Sequence, residues 1–536
     1  MQHPDDDHYS PHSERRPLYG ARAAVASSQP LASTAGLEML LQGGNAVDAA
    51  VAMAIALTVL EPTANGIGGD AFALVWDGVL HGLNGSGRSP AAMHRDRYPD
   101  GQIPTHGWLT VTVPGAVSAW RRLWKRWGQL PFEALFEPAI RYAEIGFPVG
   151  PVTAQAWARA AASLLALQGP EYEPFQQLFF PAGRAPQAGD WWRSPGHAET
   201  LRAIAQQGSA AFYQGSLAEQ IITFAEQTGG LLTADDLQAQ QAEWVAPLSI
   251  DYRGVTVWEM PPNSQGLAAL LALKILEGYD VNPENHNTWD APENLHRQIE
   301  AMKLAFADVN AAIADPDTLT LDLEALLTAD YAQVRRSLIQ PNAALSQPEP
   351  GIPDSGTVYF CAADGDLMVS MIQSNYHDFG SGILIPDTGI VLQNRARGFT
   401  LQAGHANELA PNKRPFHTIM PGFLSRGEEP LGPFGVMGGQ MQPQGHVQLV
   451  INLVDHQMNP QMALDQRRWR FLAGRQVLLE AGMTPSTVAA LAALGHEVQV
   501  PNEPFHFGKG QVILRNPAGG VIAGSEPRAD GCAIVL

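Results

Sequence analysis

A threonine that follows glycine and opens an apolar, strand-like run can serve as its own general base once the bond before it is cut. The stretch Asp354-Ser355-Gly356-Thr357-Val358-Tyr359-Phe360 has that form. Cleavage of Gly356–Thr357 would free an α-amine on Thr357, and an ordinary pKa of about 7.7–8.0 lets such an amine take the proton of the neighbouring hydroxyl. Before cleavage the same hydroxyl can attack the Gly356 carbonyl, form an ester by an N-to-O shift and leave that ester to hydrolysis. Glycine on the acyl side has no Cβ, so the turn can reach the strained geometry this attack needs. A Gly-Thr pair before a strand is common, so its neighbours decide its meaning.

Three groups of neighbours bear on it. Gln373, Ser374 and Asn375 end the next strand, where pairing across a hairpin brings them toward Thr357. Gly438 and Gly439 follow an apolar run, and backbone amides at paired glycines can bind an oxyanion without side-chain interference. Arg88, in Gly85-Ser86-Gly87-Arg88 at a strand end, can offer a planar fork to a carboxylate, with a plain surface arginine as the bland alternative. His296, Glu300 and Lys303 share a helix face but lack the His-Glu-x-x-His spacing of a metal site. They read as helix surface or as satisfied polar groups at its edge, so neither a metal nor a cofactor is expected. Asn65-Gly66-Ile67-Gly68-Gly69-Asp70 reads as a turn, because the spacing and the following helix of a dinucleotide fingerprint are missing.

The elements that must position these residues follow from composition and pattern. With 536 residues, 45% of them hydrophobic, the chain can bury a large core in two to four domain-sized units or one large layered unit. A formal net charge of -20 argues against nucleic acid as a partner. Two cysteines, Cys361 and Cys532, exclude a disulfide scaffold. No apolar run reaches a membrane-spanning length and the first twenty residues have no signal-peptide core, which points to a cytoplasmic protein with no membrane contact. Residues 1–20 read as a flexible tail, with order starting near Ala21. Ser28 is expected to cap one helix, and Asn45 with Asp48 a second, small and apolar on every side and therefore sandwiched between layers. Asp77-Gly78 marks a hairpin. Residues 161–195 read as a surface excursion, Gln340 to Pro353 as an exposed linker, and residues 461–536 as mainly structural.

Combined over nearly the whole chain, these motifs resemble the gamma-glutamyltranspeptidase family of N-terminal-nucleophile hydrolases. The likeness is carried by Gly44-Asn45-Ala46-Val47-Asp48-Ala49-Ala50, Asn65-Gly66-Ile67-Gly68-Gly69, Arg88, Met260-Pro261-Pro262, Gly356-Thr357, Phe379-Gly380-Ser381-Gly382, Pro411-Asn412-Lys413-Arg414-Pro415 and the pair Gly438-Gly439. It implies an α+β fold, a four-layer αββα sandwich, made as a zymogen that cuts itself before Thr357. A large fragment, residues 21–356 behind the tail, and a small one, residues 357–536, would form one intertwined catalytic unit, with a homodimer of such units as an admitted assembly. By the same likeness Thr357 takes a gamma-glutamyl group from glutathione or a related acidic amide, Arg88 holds the glutamyl carboxylate, Asn375 lines the pocket, Thr418 stands where the family has a serine, and Gly438 and Gly439 hold the oxyanion.

Departures from the pattern bear on the substrate. An acid that grips the substrate amine is expected in Gln393-Asn394-Arg395-Ala396-Arg397-Gly398, but its place holds Gly398. Arg395 and Arg397 add positive charge there, which suits a dicarboxylate or an acyl group without the amine. His417 replaces a second serine, and the segment from Phe399 to Pro411 is shorter than the usual lid, which favours hydrolysis over transfer to an amino acid. The main expectation is therefore a gamma-glutamyl hydrolase and transferase of glutathione metabolism. A glutaryl- or cephalosporin-type acylase on the same fold is the alternative, and an uncleaved relative acting as a binding protein the second.

Overall fold

The computed structural model describes residues 15–280, 290–319, 322–346 and 356–536. Apolar runs, most of them buried on both faces, pair into two seven-stranded sheets. The first, the threonine sheet, orders its strands as Cys532–Val535, Ala23–Ser27, Gly356–Asp364, Leu367–Tyr376, Asp70–Trp76, Leu80–Gly85 and Glu243–Val245. The second, the glycine sheet, orders them as Leu18–Gly20, Val521–Ser525, Lys509–Arg515, Glu429–Met437, Gly422–Arg426, Val255–Glu259 and Leu248–Tyr252. All neighbours in both are antiparallel. The chain before Gly356 and the chain after it both contribute strands to each sheet, so neither part completes a sheet by itself.

The sheets meet face to face. The Tyr359 ring lies against Gly435 of the glycine sheet, where a Cβ would collide with it, and Tyr359 Oη shares a 2.8 Å hydrogen bond with Ser370 Oγ. Helices Pro30–Leu41 and Ala46–Leu60 cover the outer face of the threonine sheet; Gly266–Glu277 and Met441–Val454 cover that of the glycine sheet. The result is the expected four-layer αββα sandwich. Ala46–Leu60 is buried along its entire length, as its small apolar residues imply. Its start is fixed by reciprocal capping: Asn45 Oδ1 accepts from Val47 N and Asp48 N, and Asp48 accepts Asn45 N at 3.0 Å.

Several expectations need correction. Order begins before Ala21, because Leu18–Gly20 pairs with Val521–Ala523; residues 1–14 lie outside the described part. Gln29, not Ser28, caps the first helix, since Pro30 takes its first position and the longer side chain reaches Leu31 N and Ala32 N. Residues 161–195 are no surface excursion. Phe175 and Phe179, with Trp157, form a buried aromatic socket whose ring centroids lie 5.0–5.4 Å from Phe379, and so hold the Phe379-Gly380-Ser381-Gly382 loop. His296, Glu300 and Lys303 are buried, not on the helix surface. Lys303 Nζ pairs with Glu300 at 2.7 Å and donates to Leu345 O, and Glu300 accepts Leu345 N. These bonds dock residues 340–346 of the expected linker; residues 347–355 fall outside the described part. His296, Glu300 and His496 stand close enough to share a cation, but the Lys303 ammonium already neutralises Glu300, and both His296 nitrogens are hydrogen-bonded. Among the described residues, no helix is long and apolar enough to cross a membrane.

Candidate active site

Thr357 sits where the ladder breaks register. Gly356 pairs with Tyr376 and Val358 with Gln373, so the partner strand carries one extra residue opposite Thr357. The bulge turns Ser374 toward Thr357, and Thr357 Oγ1 donates to Ser374 Oγ at 3.3 Å. Tyr376 closes the bulge with a φ of 81°, a left-handed conformation costly for a ring-bearing residue. Gln373 points to the opposite face, where it bonds Trp120 Nε1 and Asn65 Oδ1. Of the three residues ending that strand, Ser374 alone bonds the threonine hydroxyl.

From Ser374 a hydrogen-bonded chain runs through the site. Ser374 Oγ accepts Tyr376 N at 2.8 Å and Arg395 Nη2 at 3.3 Å; Arg395 Nη1 donates to Thr418 Oγ1 at 2.9 Å. Gln265 Nε2 then ties Thr418 O (2.5 Å) to Gly439 O (2.9 Å). Thr357, Arg395, Thr418 and Gly439 thus belong to one network. Gly438 and Gly439 take φ of 128° and 61°, angles that glycine alone adopts cheaply. Among the described residues neither of their amides donates to an acceptor, which leaves them available to an oxyanion.

Arg395 is fully buried. Its guanidinium bonds two hydroxyls and stacks on Tyr376, Nε has no partner, and no carboxylate pairs with it among the described residues. Burial lowers its pKa to about 10, opposed by Tyr376 and Asp70, so it stays charged at neutral pH. Asp70, also fully buried, accepts Gln393 Nε2 (2.9 Å), Gly115 N (3.0 Å) and Gly87 N (3.2 Å) on one oxygen and faces His417 Nε2 at 3.0 Å with the other. Burial pushes the Asp70 carboxyl up to about 7 against the Arg395 charge. His417 Nδ1 accepts Ile419 N at 3.3 Å, which places the ring proton on Nε2, toward Asp70; burial, then Arg395, hold the His417 pKa well below its ordinary value.

The glycines of the 65–70 loop make room for Asn375. A Cβ on Gly69 would stand 2.5 Å from Asn375 Oδ1, and one on Gly66 2.9 Å from Nδ2. Asn375 is fully buried and neither side-chain atom has a partner among the described residues, the condition of a group waiting for a ligand. The Arg88 guanidinium is engaged by other partners, Asp315 (2.9 Å), Asp317 (2.8 Å) and Asn412 O (3.1 Å), and makes no bond to the Thr357 network among the described residues. Arg397 likewise turns away, to Ile103 O and Thr105 Oγ1. Sequence reasoning passed over Asp70, Tyr376 and Gln265 as site residues. Asp70 carried a signal, an acid ending a glycine turn just before a strand with no polar alternation; Tyr376 carried none, because its role comes from backbone conformation.

Residues 32–536 match the family model described as Gamma-glutamyltranspeptidase. The glutathione hydrolase-like YwrD proenzyme of Bacillus subtilis is 37% identical over 96% of this chain and 99% of its own length. The oxamate amidohydrolase proenzyme of Klebsiella pneumoniae is 35% identical over 94% of this chain and 96% of its own. Among solved structures, the cephalosporin acylase from Bacillus halodurans superposes with a TM-score of 0.93 at 49% identity, covering 99% of this chain and 98% of that one.

Proposed function

Because the chain belongs to the gamma-glutamyltranspeptidase family, we propose that it cuts itself before Thr357 and then hydrolyses amides whose acyl group carries a second, free carboxylate and lacks an α-amine. It is a self-processing amidohydrolase of the N-terminal-nucleophile superfamily, related to both the glutathione-hydrolase and the acylase branches. In the proposed cycle the Thr357 amine takes the proton of Oγ1, Oγ1 attacks the amide carbonyl, and the oxyanion rests on the amides of Gly438 and Gly439. Collapse breaks the C–N bond, and the leaving amine takes the proton from the Thr357 ammonium. Water, deprotonated by the same amine, releases the acid from the Thr357 ester. Residues 1–356 and 357–536 are the two fragments on this reading, held together by their shared sheets.

Arg395 carries the choice of acyl group. A buried cation without a carboxylate partner, two 3.3 Å steps from Thr357 Oγ1, favours an anionic substrate group. Asn375, unpartnered against Gly66 and Gly69, supplies amide donors and an acceptor, and Thr418 holds the Arg395 fork in place. The name of one relative, an oxamate amidohydrolase, supports amides of this kind, since oxamate carries a free carboxylate and no amine on its acyl group; that of another, a cephalosporin acylase, supports acyl groups beyond gamma-glutamyl. The gamma-glutamyl reading needs Arg88 as the carboxylate clamp and an acid for the amine. Arg88 is paired with Asp315 and Asp317, and Gly398 stands where the acid is expected, so that reading ranks second. The test is release of p-nitroaniline from glutaryl and gamma-glutamyl anilides by purified enzyme. A kcat/KM at least tenfold higher for the glutaryl compound is expected; the reverse order would overturn the proposal.

A further inference from the structure

Helix Ala116–Trp127 places Ser118, Arg121, Arg122 and Lys125 on one face, at positions i, i+3, i+4 and i+7. That face lines an open cavity of about 500 Å³, whose walls also include Tyr213, Gln240 and three further glutamines. No aspartate or glutamate lines it, although the chain has 53 acidic against 33 basic side chains. Among the described residues Arg121, Arg122 and Lys125 make no ion pair. Arg121 is instead braced over the Trp124 and Phe132 rings, at 4.4 and 4.7 Å.

Three like charges on one helix face, none of them with a counter-ion among the described residues, repel each other, and an anion among them relieves that repulsion. We propose that this cavity binds a small polyanion with at least two carboxylate or phosphate groups. Planar guanidinium forks and carboxamide N–H groups match such oxygens, and the absence of acids removes the usual competitor. The cavity borders the catalytic region: Gly115, just before the helix, donates to Asp70 Oδ1 at 3.0 Å, and Tyr213 Oη bonds Pro114 O at 2.9 Å.

Isothermal titration of the full-length protein with pyrophosphate and with citrate tests the site and separates a phosphate from a carboxylate ligand. One-site binding of at least one probe is expected, weakened tenfold or more in Arg122→Gln/Lys125→Gln. It should persist in Arg126→Gln, whose guanidinium lies over Trp127 and Trp244 instead. It should also persist in Arg395→Gln; loss of binding there would assign the anion to the catalytic pocket and overturn the proposal. No binding of either probe at millimolar concentration, or equal binding by the double variant with an unchanged melting temperature, would overturn it as well.

Discussion

The guanidinium carbon of Arg395 lies 4.1 Å from the centre of the Tyr376 ring, and both side chains are fully buried. A desolvated cation over an aromatic face gains about 2 kcal/mol, so the ring that closes the bulge also holds the cation proposed to meet the substrate. Arg395→Gln removes the charge but keeps donors for Thr418 and Ser374. Loss of a buried charge contact costs about 3–5 kcal/mol, a fall of roughly two to four orders of magnitude in kcat/KM. That fall is expected for glutaryl anilide but not for a neutral acyl anilide of the same length. Equal losses on both substrates would mean that Arg395 only supports the fold.

Tyr376 separates its ring from its hydroxyl in the same assay. The hydroxyl has no hydrogen-bond partner among the described residues, so Tyr376→Phe is expected to keep kcat/KM within about threefold, the face of the ring being what holds the cation. Tyr376→Leu, which lacks the ring face, should raise KM for the carboxylated substrate roughly tenfold, about 1.4 kcal/mol. Steady-state kinetics of both variants checks the pair.

Self-cleavage rests on Thr357. Thr357→Ala is expected to run as one band of 57.6 kDa on a denaturing gel and to release no aniline, whereas the unaltered chain yields two bands. Thr357→Ser keeps an amine and a hydroxyl and should still divide, more slowly. Two bands from the alanine variant would move the cleavage point elsewhere.

The local part of this site could be read from sequence; its geometry could not. Gly356-Thr357, the paired glycines 438–439, the Asn45 cap and the hairpin at Asp77-Gly78 are short-range signals, because each depends on a conformation few residue types allow. Arg395 was legible as positive charge near the pocket. The turning of Arg397 and Arg88 to other partners depends on contacts between segments hundreds of residues apart, and the burial of Arg395 on how Ser374, Tyr376 and Thr418 fold around it. The extra residue opposite Thr357 is a property of pairing and leaves no mark in either strand alone. The aromatic socket of residues 157–192 was missed because Gly and Pro among its aromatics hid the helical period.

Asp70 makes stability depend on pH with a definite sign. Its carboxyl titrates near 3.8 when unfolded and about 7 in the fold. Between those values the unfolded chain has lost the proton that the folded chain keeps, so the contribution of Asp70 to stability is fully present below pH 4 and is lost as pH rises through 7. Arg395 and the donors around Asp70 limit the size of this slope, not its direction. Urea unfolding of the uncut Thr357→Ala chain at pH 5 and pH 7.5 should show the decline, and Asp70→Asn in that background should flatten it. An equal slope in both would place the titration on another group.

Gly69 tests whether the glycine turn exists to admit Asn375. A Cβ there would stand 2.5 Å from Asn375 Oδ1 and 2.6 Å from Ser374 O. Neither can retreat easily, because one is fully buried and the other is backbone beside the bulge. Gly69→Ala is therefore expected to destabilise by about 1–3 kcal/mol and to lower turnover by displacing both residues from Thr357. Adding Asn375→Ala removes the nearer clash, so the double variant should recover part of the stability and none of the activity, a coupling that a cycle of unfolding free energies measures. Additive losses in that cycle would show that the glycine serves the turn rather than the asparagine.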